Sequence, residues 1–66
     1  MLPYQQRVVD EQQENEKRLV NLRSFLRSSP TGISSDDLAD LVTQEKIMSN
    51  YDEILKLRIS KFNLSD

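Results

Sequence analysis

One short segment, Ser28-Ser29-Pro30-Thr31-Gly32-Ile33-Ser34-Ser35, holds the chain's only glycine and one of its two prolines. The other proline, Pro3, stands where the first turn of a helix tolerates it. Nothing else interrupts a helix. The sequence therefore predicts an all-α chain, an antiparallel two-helix hairpin with one turn. The expected bounds are helix 3–27, turn 28–34, helix 35–62 and a frayed tail 63–66, all within a single domain spanning residues 1–66.

Local signals support both helices. The first is built of good helix formers, with Glu14 four residues before Arg18 in the favourable order for an intrahelical pair. Arg23 and Arg27 suit its negative C-terminal end. In the second, Ser34 fits the N-cap, with Ser35 as a competing cap. Asp37 falls at N3, and Ile33 and Leu38 form a hydrophobic staple. Ser28, Ser29, Ser34 and Ser35 read as turn and capping residues.

A short connection makes the helices antiparallel neighbours. Each would be roughly 35–42 Å long. Counting from the turn sets Phe25 against Leu38, Leu22 against Leu41, Asn15 against Met48, Gln12 against Tyr51 and Val8 against Leu55. Arg18 is then expected opposite Glu45. Residues 10–18 contain nine positions without one apolar side chain. Gln12 and Asn15 lie on the seam within that stretch. They predict a polar waist that fixes register, as polar seam residues do in coiled coils.

Helix two is apolar over too wide an arc for one neighbour. Leu41, Ile47, Met48, Tyr51, Ile54, Leu55, Ile59 and Phe62 span roughly 140° around a helical wheel. A chain of 66 residues with no cysteine cannot staple itself with disulfides, and a core this small rarely suffices alone. The expectation is a helical-bundle homo-oligomer, dimer or higher, with Ile47, Tyr51, Ile54, Leu55 and Phe62 at the interface. Leu57 lies outside the arc.

The candidate ligand-binding residues are polar groups near that arc. Arg58 and Gln44 fall within it, and an arginine there calls for an anion: Asp10, Glu11, a neighbour's carboxylate or a bound phosphate. Tyr4, Arg7, Arg58 and Lys61 are expected to cluster at the open end of the hairpin. There, aromatic and basic groups can stack a base and hold a phosphate, or simply cover the bundle end.

Several classes are disfavoured. The chain lacks histidine and cysteine, which removes the commonest metal ligands, so no metal site or cofactor is expected. Its carboxylates read as solvated faces, and a two-helix unit offers no deep cleft; the chain is expected not to be an enzyme. A net charge of -2 argues against DNA binding. No run approaches a membrane span and no signal-peptide pattern is present, which predicts a cytoplasmic protein.

The run Tyr4-Gln5-Gln6-Arg7-Val8-Val9-Asp10-Glu11, followed by Leu19, Leu22, Phe25 and Leu26, forms one half of a broader pattern. Gln44, Met48, Tyr51, Ile54, Leu55, Arg58, Ile59 and Phe62 form the other. Together they resemble a family of short helical-hairpin proteins encoded by crAss-like and temperate phages and by prophages. The chain departs from that pattern at Asn15, where many relatives have leucine, and at Asn21, where they often have lysine. The resemblance supplies no catalytic or binding residue. It implies a phage-encoded accessory protein acting in the host bacterial cytoplasm against antiviral defence. In one form, inter-subunit pockets sequester a cyclic nucleotide or ADP-ribose-type immune signal, with Tyr4, Arg7 and Arg58 as contacts. In another, an acidic face of Asp36, Asp37, Asp40, Asp52 and Glu53 masks a host defence protein in the manner of an anti-CRISPR. A structural or assembly hairpin is the third reading.

Overall fold

A computed structural model describes residues 1–62. Helix α1 spans Pro3–Arg27 and helix α2 spans Ser35–Ser60. They pack antiparallel as a rod about 50 × 15 × 14 Å. The fold is an all-α hairpin. The expected tail 63–66 lies outside the described residues.

Each end is closed by a particular group. The Gln5 side chain reaches back to accept the Leu2 N–H at 2.9 Å, satisfying a donor that the first helical turn leaves free. The Ser34 hydroxyl accepts the Asp37 N–H at 3.1 Å. Gly32 has φ of 80° and Ser29 has φ of 54°, so two left-handed residues reverse the chain within the turn. At the other end α2 stops at Ser60, two residues before the expected 62. The Lys61 N–H donates to the Arg58 carbonyl and the Phe62 N–H to the Ile59 carbonyl. These tighter bonds wind the last turn out of α-helical register.

The core is narrow. Val8, Leu19 and Leu55 are its buried apolar residues. Along α1 the inward positions Gln5, Val8, Gln12, Asn15, Leu19 and Leu22 repeat at alternating spacings of three and four, and so do Leu41, Glu45, Met48, Asp52, Leu55 and Ile59 along α2. Such spacing is a coiled-coil seam.

The waist within that seam is polar and bonded across the helices. Asn15 Nδ2 donates to the Met48 carbonyl at 3.0 Å, the pairing expected from the turn. Gln12 differs: its amide donates to Asp52 Oδ1 at 3.1 Å rather than lying beside Tyr51. One residue is a 100° rotation on a helix, so Asp52 enters the seam and Tyr51 flanks it. Asp52 is consequently buried and does not belong to the acidic surface expected of it. The expected Arg18–Glu45 bridge is replaced as well. Arg18 pairs with Glu14 on its own helix at 3.4 Å. Arg23, beside the seam, takes Glu45 at 2.7 Å and donates to Ser49 Oγ at 3.0 Å. Among the described residues, every buried side-chain nitrogen and oxygen has a hydrogen-bond partner.

Candidate functional site

The open end of the hairpin carries a shallow groove of about 340 Å³ lined by Tyr4, Arg58, Lys61 and Phe62. Its parts come from both helices. Pro3 starts α1 and sets Tyr4 on its first turn. Arg58 lies on the last turn of α2, and the tightened 61–62 turn carries Phe62. The Tyr4 and Phe62 rings meet edge to face, with centroids 5.9 Å apart and planes at 84°. That is a favoured aromatic geometry, and it fixes one wall.

The other wall is cationic. Arg58 and Lys61 are exposed, and neither side chain makes an ion pair with any described residue. The carboxylates expected for Arg58 are engaged elsewhere. Asp10 accepts from the Gln6 amide at 2.9 Å, and Glu11 accepts the Tyr51 hydroxyl. That bond to Glu11, with some burial, raises the Tyr51 pKa above its ordinary value, while the nearby Arg58 charge opposes the rise. The groove therefore offers two cations without an ion-pair partner among the described residues, beside a fixed aromatic pair.

The remaining sequence candidates are spread along the rod. Arg7 is exposed on α1 but does not line the groove. Gln44 is exposed and its amide lies 3.7 Å from the Met48 sulfur. It stands fourteen residues before Arg58, roughly 21 Å along the helix, so within one chain the two cannot share a ligand. Ile47, Tyr51 and Ile54 present surface outward, at 63%, 40% and 49% exposure. Leu55, expected at the interface between copies, is 0% exposed. It is consumed by the hairpin's own core and has no surface left for a neighbour. Phe62, also expected there, is half-buried in the groove wall. Its contact with Tyr4 was missed because the width of the apolar arc does not say which of its members face α1.

Among the described residues there is no group of three or more His, Cys, Asp or Glu side chains able to hold a metal ion. No helix among them is long and apolar enough to cross a membrane.

Fold and groove together define a small helical-hairpin protein with an exposed aromatic–cationic recess at its open end. The Sequestin family model matches residues 2–61, and the chain belongs to that family. The match covers both helices and all of the groove except Phe62. The family name denotes sequestration. No curated protein and no solved structure matches the chain.

Proposed function

We propose that this chain is a phage-encoded, non-enzymatic binder that withholds a nucleotide immune signal from host antiviral defence, holding it stoichiometrically in pockets completed between copies. The ligand class is a cyclic nucleotide or an ADP-ribose derivative. The observation that carries this reading is the groove, where Arg58 and Lys61 have no carboxylate partner among the described residues and Tyr4 and Phe62 supply ring surface. Guanidinium and ammonium groups hold phosphate, and an aromatic ring stacks on a base whatever its identity. The family name supports sequestration in general; the nucleotide is inferred from the side chains.

Calorimetry against cyclic di- and trinucleotides and ADP-ribose derivatives tests it. Binding of at least one is expected, with the Arg58→Ala variant weaker by about 10- to 100-fold, the usual loss for a hydrogen bond to a charged group. Tyr4→Ala is expected to weaken binding as well. No heat with any of them from folded protein overturns the reading. The acidic face then becomes the better candidate, through Asp36, Asp37, Asp40 and Glu53, which are exposed, and its test is capture of a host protein that an Asp36/Asp37/Asp40 triple substitution abolishes.

A further inference from the structure

Helix α2 carries two heptad seams side by side, and the hairpin uses one. Each inward residue is preceded by an outward one: Gln44 before Glu45, Ile47 before Met48, Tyr51 before Asp52, Ile54 before Leu55 and Arg58 before Ile59. The outward set repeats the same three–four spacing as the seam packed on α1. Its middle, Ile47, Tyr51 and Ile54, is apolar and open to solvent. Its beginning is acidic, with Asp37 and Asp40 exposed, and its end is basic, with Arg58 and Lys61 exposed.

This order of charges says what covers the stripe. We propose that a second copy of this chain packs on it antiparallel, α2 against α2, with the twofold axis near Ser49. Antiparallel seams interleave alternate positions of the two heptads. In that register Asp37 of one copy faces Lys61 of the other, Asp40 faces Arg58, Gln44 faces Ile54 and Ile47 faces Tyr51. Every contact occurs twice, as a twofold interface requires. A parallel pair would instead set acid against acid and base against base, which is unfavourable. The seam from Asp37 to Lys61 is roughly 36 Å long, almost the whole of α2.

The pairing also brings carboxylates to the groove, where an anionic ligand would have to share the cations with them. Asp37 and Asp40 of the second copy arrive at the rim formed by Arg58 and Lys61. The guanidinium has five donors on a planar fork, enough to hold a carboxylate on one edge and leave another free for a phosphate. This pairing gives the face and orientation of the copies invoked in the proposed function, and rests on that reading only for the ligand.

The test uses the full chain, which has no native cysteine. Thr43 and Leu57 are exposed residues on one flank of the stripe. In the antiparallel pair, position 43 of one copy lies beside position 57 of the other. Mixing the T43C and L57C variants under oxidation is expected to give the crosslinked heterodimer, with little crosslinking of either alone. Light scattering is expected to show a dimer that the Ile47→Asp/Ile54→Asp variant converts to a monomer with unchanged helical circular dichroism. D37K/D40K is expected to weaken the dimer by at least about tenfold, and adding R58E/K61E to restore it. A wild-type chain that stays monomeric at high micromolar concentration overturns the inference, as does self-crosslinking of L57C in preference to the mixture. A monomer that still binds nucleotide refutes the pairing alone; a crosslinked dimer that binds none refutes the ligand alone.

Discussion

Lys56 spans the waist of the hairpin, with its ammonium 3.1 Å from both Glu16 and Asp52. Gln12 donates to the same two carboxylates, so four polar side chains close a ring where a coiled coil would place leucine. Removing one member should hurt more than replacing the pair. Gln12→Leu takes a donor from buried Asp52 and is expected to cost about 1–3 kcal/mol in urea unfolding. Gln12→Leu combined with Asp52→Leu is expected to recover most of that loss or exceed wild type, since an apolar layer needs no partners. The same ring sets the response to pH. Burial pushes the Asp52 carboxyl up, but hydrogen bonds from Gln12 and Lys56, with the Lys56 and Arg23 charges, together hold it below its ordinary value. Glu16 is also lowered, chiefly by its bond to Lys56. A depressed carboxyl contributes stability above its unfolded pKa and loses it as pH falls through the folded one. Lys56 is raised, chiefly by Asp52, so its contribution is present below the ordinary lysine value and is lost as pH rises through the folded one. Melting temperature should therefore be flat near neutrality, fall below about pH 4 and fall again above about pH 10. The Gln12→Leu/Asp52→Leu variant should show a shallower acid limb.

At the scale of elements, the helix ends offer the clearest changes. Ser34→Ala removes the oxygen that accepts the Asp37 N–H and is expected to cost about 1 kcal/mol in thermal unfolding. Ser29 holds a left-handed conformation just beyond α1, where glycine is the usual residue. Ser29→Gly is expected to stabilise the hairpin by up to about 1 kcal/mol, with Gly32→Ala, also left-handed and uncrowded, moving it the other way. The Ser34 cap could be read from the sequence because Asp37 and the Ile33/Leu38 staple accompany it. The left-handed Ser29 could not, since serine in a loop carries no mark of its φ. Helix α2 shows the same limit along its length. Its apolar arc was legible as too wide for one neighbour, but periodicity alone did not separate the stripe that faces α1 from the one beside it. The Gln12–Asp52 bond, with the Arg23 bridge to Glu45, marks that division.

Over the whole molecule, adjacent residues have opposite duties. Leu55 fills the hairpin's interior and Ile54 stands outside it. Leu55→Ala is expected to cost about 2–5 kcal/mol, enough to unfold a domain this small. Ile54→Ala is expected to leave monomer stability within about 0.5 kcal/mol. Circular dichroism at low protein concentration separates the two. The amino-acid sequence by itself determined two helices, the Ser34 cap of the second, their antiparallel sense and the polar waist, because propensity, capping and turn chemistry act between residues a few positions apart. Only the tertiary structure decided that Asp52 rather than Tyr51 enters the seam, that Arg23 rather than Arg18 reaches Glu45, and that Phe62 packs on Tyr4 to build the groove. Those outcomes depend on the rotation of one helix against the other. A single residue's worth of rotation, 100°, exchanges a buried side chain for an exposed one, and no local signal fixes that angle.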